Sequence, residues 1–278
     1  MLKAHRPWLP LLCFILLALA WTTSAAAAET TMPTHTWFTI ASTVLKEARH
    51  INVYTPPGYA AHKSTRYLVL YMPDGGMRED FPHVAMDIDT GIRAGKIQPM
   101  IVIGIENTER RRDMTGPTTV SSDREIAPHV GGSAAFRAFI ADELMPQVRQ
   151  RYRTNGRTAI VGESLAGLFV VETFIEQPLL FDTAIAFSPS LWWNNASLAH
   201  GAATRLRASP SLTRTLYLAN ASDDDIGDGM RTLRAALRAN APKGLVWFYQ
   251  SRADLHHDTI YRRASPAVFH KLFPPGAR

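Results

Sequence analysis

A mostly parallel, doubly wound α/β sheet entered through early antiparallel strands is the fold class this sequence predicts. Three observations predict it. Short β-rich runs recur along the chain, helical patterns separate the later ones, and those later runs are near-continuously apolar, as strands buried on both faces must be. At 278 residues and 46% apolar content, the chain can bury the core of one large α/β domain. It has no internal repeat at a fixed period and no segment with the low hydrophobicity and high charge of disorder.

The first element is not part of the sheet. Lys3 and Arg6 give a positive start, Leu9 to Trp21 is an almost unbroken apolar run, and Thr22 to Ala28 is small and polar, ending in four alanines. The run is shorter than the roughly 20 residues of a spanning helix, so residues 1–28 read as a cleaved secretory signal peptide. The mature chain then has no membrane span and its location is periplasmic or secreted. Cleavage removes the only cysteine, Cys13, leaving neither a disulfide nor a thiol nucleophile. It leaves 28 basic residues against 24 acidic ones, a balance of +4. That is mildly basic, with no stripe suited to nucleic acid.

The predicted strands are Trp37–Ala41, Ile51–Tyr54, Tyr67–Met72, Met100–Ile105, Thr158–Val161, Thr183–Phe187, Leu216–Ala219 and Leu245–Tyr249. Between them, Ser133 is placed to cap a helix that carries Phe136, Phe139, Ile140, Met145 and Val148 on one side. Ser164–Glu176 reads as the next helix. Asp228–Asn240 follows, with Met230, Leu233 and Leu237 set among arginines, and Ala264–Leu272 closes the chain. No Pro/Gly/Ser-rich linker interrupts this order, so residues 29–278 are expected to form one domain.

The stretch "AIVGESLAGLF", residues 159–169, carries the chemistry. A strand runs through a sharp turn into a helix, with Ser164 at the turn and small residues, Gly162 and Ala166, two positions to either side. This is the nucleophile-elbow pattern, in which the tight turn strains the serine backbone and aims its hydroxyl out of the sheet. A serine hydroxyl needs a base, and in this arrangement the acid and then the histidine follow it along the chain. His256 and His257 lie in the segment after the last predicted strand, where the base belongs. Asp223, Asp224 and Asp225 follow the penultimate strand, and one of them is expected to orient the imidazole. The oxyanion hole needs two backbone N–H groups. Leu165, next to the serine, supplies one; Gly76, in "YMPDGGM" after an early strand, is the candidate for the other. Adjacent histidine side chains diverge, and no ligand cluster has a metal-binding spacing, so neither metal nor cofactor is expected.

Two further groups are candidates for substrate binding. Arg110 and Arg112 follow a strand at the sheet edge where ligands enter, and guanidinium suits carboxylate, phosphate or catecholate oxygens. Trp192 and Trp193 follow another strand and are candidates to wall an aromatic acyl pocket.

With these residues assembled, the chain resembles the "putative esterase" branch of the α/β-hydrolases, which includes trilactone siderophore esterases, S-formylglutathione hydrolase and mycolyltransferases. The resemblance runs from about Val53 to Phe273 through "LVLYMPDGG", "MIVIGIENTERRRDMTGP", "FIADELMPQVRQRYRTNGRTAIVGESLAGLF" and "FDTAIAFSPSLWW", in that order. It implies an α/β-hydrolase fold. It places the family's serine on Ser164, its histidine on His257 and its acid on Asp223, with Asp225 as the alternative. The siderophore esterases tend to have an imperfect acid, so a Ser–His dyad is also implied as an option. Three positions depart from the family. Glu163 stands where histidine is usual, Ala166 where glycine is common, and Asp258 where glycine usually follows the histidine. The first sets an extra carboxylate beside the nucleophile, which is expected to alter substrate preference or slow attack. The implied activity is that of an exported serine esterase acting on a small-molecule ester or lactone, a siderophore by analogy. An acyltransferase using the same triad, or a non-catalytic binding protein on the same scaffold, is the alternative.

Overall fold

Strand alternation assigns each face of the sheet its own core. In the computed structural model, which describes Met1 and residues 32–222 and 227–276, β1 (His35–Ser42) and β2 (Glu47–Tyr54) pair antiparallel, His35 opposite Tyr54. β3 (Tyr67–Met72) and β4 (Met100–Ile105) lie parallel to each other, and β2 runs antiparallel to β4. β5 (Thr154–Glu163), β6 (Thr183–Phe187), β7 (Thr215–Ala221) and β8 (Val246–Arg252) extend the parallel part. The order across the sheet is β1-β2-β4-β3-β5-β6-β7-β8.

Side chains of a strand point alternately to opposite faces, and β3 and β4 divide cleanly. Leu68, Leu70, Met100 and Val102 face a core completed by α1 (Phe81–Arg93) and α9 (His257–Leu272), through Phe81, Ile88, Val268 and Phe269. Val69, Tyr71, Ile101 and Ile103 face the other core. That side is covered by α4 (after α2, Arg110–Met114, and α3, Ser121–Arg124) and by later helices. α4 (Ser133–Ala138) passes through a π-helical turn (Phe139–Leu144) into α5 (Met145–Arg151). α6 (Ser164–Glu176), α7 (Trp193–Arg207) and α8 (Gly227–Asn240) complete the layer. α6 is buried nearly all round, as its sequence, apolar on every face, requires. This is the α/β-hydrolase fold, and it brings the turns after β3, β5 and β6 and the start of α9 to the carboxyl edge of the sheet.

Several sequence expectations are corrected here. Ser133 does not cap its helix: Gly132 holds the N-cap position, and Ser133 Oγ instead donates to Glu172 Oε1 at 2.8 Å. The last helix begins at His257 rather than Ala264, since a capping box at His256 and Thr259 starts it. Four helices, α1, α2, α3 and α7, were not anticipated. α1 buries His83 and Gly91 alongside its apolar residues. α7 faces the core with Ala199 and Ala202 and enters through three left-handed residues, Asn194 to Ala196, at φ 50–57°.

Candidate active site

Ser164 stands at the junction of β5 and α6 with φ +59°. A non-glycine residue in the left-handed region costs about 1–3 kcal/mol and persists only where its surroundings hold it. The turn is tight enough that a Cβ added at Gly162 would lie 2.6 Å from the Ala166 carbonyl carbon. Ser190, after β6, braces the turn: its N–H donates to Ser164 O at 3.0 Å, and its Oγ lies 3.4 Å from Ser164 Oγ.

The start of α9 faces this turn. His256 takes the cap position, where its N–H donates to Thr259 Oγ1 at 3.0 Å. His257, one residue on, reaches Ser164: Nε2 lies 3.1 Å from Ser164 Oγ. Nε2 also stands 3.0 Å from Glu163 Oε1. Burial raises the Glu163 carboxyl above its ordinary pKa; His257 and Arg110 oppose the rise, and Asp74 adds to it. Asp223, Asp224 and Asp225 lie outside the described residues.

The loop after β3 approaches from the other side. Gly75 packs so closely on β4 that an added Cβ would lie 2.1 Å from Ile105 N. The Gly76 N–H is already engaged, donating to Glu79 Oε2 at 2.6 Å. Glu79 also has a raised pKa, from burial first, with Asp74 acting in the same direction and the Gly76 N–H against it. Leu165 occupies the first turn of α6, where backbone N–H groups have no partner within the helix.

The four proposed binding residues separate. Arg110 is 35% exposed and forks onto Asp74, Nε to Oδ1 at 2.7 Å and Nη2 to Oδ2 at 2.9 Å. It lines a depression of about 320 Å³ together with Arg111, Arg112 and His129. Arg112 is turned to architecture, because its guanidinium reaches Glu47, Glu109 and Asp113 at 2.7–3.1 Å. Trp192 is 44% exposed. Trp193 is 4% exposed and donates from Nε1 to Gly116 O at 2.8 Å, so it packs under the surface. Sequence reasoning missed Asp74, Glu79 and Ser190. Asp74 and Ser190 sit inside stretches already singled out, "YMPDGGM" and "FSPSLWW"; Glu79 had no signal beyond its nearness to the Gly75–Gly76 pair.

Among the described residues, no group of three or more His, Cys, Asp and Glu side chains is arranged to hold a metal ion. No described helix is long and apolar enough to cross a membrane.

Sheet order, elbow and serine–histidine contact together define the class, an α/β-hydrolase. Residues 42–258 match the family described as "Putative esterase", and the chain belongs to that family. The ferri-bacillibactin esterase BesA of Bacillus subtilis is 39% identical over 114 residues, covering 37% of this chain and 39% of that protein. A siderophore triacetylfusarinine C esterase of Aspergillus fumigatus is 37% identical over 98 residues, 34% of this chain and 32% of the other. The aligned part thus spans two fifths or less of each relative's length. An IroE-like serine hydrolase from Shewanella oneidensis superposes with a TM-score of 0.78 at 26% identity, covering 86% of this chain and 80% of that one.

Proposed function

We propose that this protein is a serine carboxylesterase that cleaves an ester or lactone through an acyl-enzyme, with a siderophore lactone as its natural substrate. The observation that carries the reading is the 3.1 Å contact between Ser164 Oγ and His257 Nε2 at a strained elbow. As Oγ bonds to the ester carbonyl carbon, its proton passes to Nε2. The carbonyl oxygen takes up negative charge and is held by the N–H groups of Leu165 and Gly76. The C–O bond then breaks, and the departing alcohol takes the proton from the imidazolium. Water, deprotonated by the same imidazole, frees the acid and restores Ser164. For Gly76 to serve, substrate must displace Glu79 from its N–H. The orienting acid in this scheme is Asp223, or Asp225. The reaction calls for no metal or cofactor.

The siderophore assignment rests on the names of the relatives and on the partly exposed Arg110 and Trp192. Export is proposed from the leader-like composition of residues 1–28. The test is turnover of p-nitrophenyl butyrate and of a panel of esters that includes a trilactone siderophore, with Ser164→Ala as control. Turnover surviving in that variant would end the reading. A folded wild-type protein inert on every ester would favour a binding protein, and an ester product formed with an added alcohol would mark an acyltransferase.

A further inference from the structure

Glu163 is the unused group in this site. Its side chain is 16% exposed, and Oε1 is buried without a hydrogen-bond partner although it lies 3.0 Å from His257 Nε2. Nε2 thus stands at nearly equal distances from the nucleophile's Oγ, 3.1 Å, and from this carboxylate oxygen. While His257 is neutral, the buried oxygen gains little from the ring. Once Nε2 has taken the serine proton, the same oxygen faces a full positive charge at contact distance. An interaction that appears only as the reaction proceeds lowers the barrier, whereas one present throughout does not.

Resting on the esterase reading above, we propose that Glu163 is a positioning residue for the base: a second carboxylate that stabilises the His257 imidazolium from its Nε2 side. Other charges face Glu163 as well. Arg110 of α2 is committed to its fork on Asp74, and Asp74 itself opposes a second negative charge. From α9, Tyr261 lies one turn beyond His257, its buried hydroxyl within the electrostatic reach of Asp80, Asp74, Glu163 and Asp87. Among the described residues none of these supplies a free cation at Oε1, and the imidazolium is the counter-charge in contact with it.

A carboxylate at this distance holds a proton on imidazole to higher pH. Glu163→Gln should therefore move the acid limb of kcat/KM to lower pH by about one unit. It should also cut kcat/KM on the alkaline plateau by roughly tenfold, with KM within about twofold. The decisive measurement does not need turnover. In a Ser164→Ala background, ¹⁵N NMR of His257 gives its titration midpoint with and without Glu163→Gln. The midpoint should fall by about one pH unit. A midpoint and acid limb that do not move would overturn the proposal. Should the glutamine variant fail to fold on a thermal melt, Glu163→Asp must show a smaller fall in the same direction, and an unmoved midpoint there has the same force. Failure of the esterase reading is seen separately, as turnover that survives Ser164→Ala.

Discussion

Carboxylates occupy two regions of this molecule under opposite conditions. Beneath β2, Glu47 and Asp113 meet guanidinium groups. Arg49, fully buried, contacts both at 2.7 Å, and its planar head lies over the Phe136 ring. Burial works against the charge of Glu47, but hydrogen bonds from Arg112, Thr108 and Arg49 outweigh it and hold the pKa down at about 2. At the elbow and the loop after β3, Glu163 and Glu79 are half-buried, yet there burial wins and both carboxyls are raised. The same residue type is an anchor where arginine meets it and a strained group where only backbone N–H groups or an imidazole do. The first arrangement fixes a loop; the second stores unfavourable charge where a reaction can relieve it.

The largest expected effect separates the regions by function. Ser164→Ala should lower kcat/KM roughly 10⁴-fold or more, on the scale of losing a nucleophile in a serine hydrolase, while the melting temperature barely moves. Arg49→Met should do the reverse. It takes the fully buried partner from Asp113 and Glu47 and leaves them Arg112 alone, a loss approaching the roughly 3–5 kcal/mol of a broken buried pair, and turnover per folded molecule should survive. Urea unfolding with active-site titration reads both quantities. If Arg49→Met instead abolished turnover in a folded protein, the two regions would be coupled and the contrast between them would fail.

That contrast was only partly visible in the sequence. Strands β3, β4 and β6 and helix α6 could be bounded from sequence because each is a continuous apolar run with a clear punctuation mark at its end. The elbow was legible for a related reason: Gly162 and Ala166 are small because the turn leaves no room, and that requirement is written in residue type. α7 was illegible because alanines carry its packing and its entry needs three left-handed residues that no local rule demands. Pairing across the chain was also beyond local reading. Arg110 and Arg112 looked alike, two residues apart on a short helix, and only the positions of Asp74 and Glu47 in space send one to the cleft and the other to the anchor. Glu79 is the same case, since its role depends on the path of the Gly75–Gly76 turn rather than on its own neighbours.

A smaller effect tests the electrostatic contrast by sign. The pKa of Glu47 is lowered, so its contribution to stability is complete above its unfolded value of 4.5 and is lost as pH falls toward about 2. Glu163 is raised, so its contribution runs the other way, present at low pH and lost as pH rises through its folded pKa. At pH 7, Glu47→Gln should therefore lower the melting temperature and Glu163→Gln should raise it, each by about 2–4 °C if the change is near 1 kcal/mol. At a pH below both pKa values, the two differences should shrink together. Shifts of the same sign at pH 7 would mean that the cleft carboxylate is as well satisfied as the anchor.

The smallest expected effect concerns Glu79. Its Oε2 accepts the Gly76 N–H at 2.6 Å, where the oxyanion is proposed to bind, and Oε1 takes the Asn107 N–H at 3.3 Å. On the proposed scheme, a carboxyl oxygen thus occupies the Gly76 N–H that the developing oxyanion would need. Displacing it means giving up one charge-assisted hydrogen bond and then facing the displaced charge. Glu79→Gln keeps an acceptor of the same size but weakens the bond and removes the repulsion. Losing a whole oxyanion donor costs about 10²–10³ in rate; relieving competition for one should return only a fraction of that. We expect kcat/KM for p-nitrophenyl butyrate to rise a few-fold, mostly through KM. A fall of 10² would instead make Glu79 part of the scaffold that aims Gly76, and the cleft carboxylates would then divide into one that holds the backbone and one, Glu163, that acts on the base.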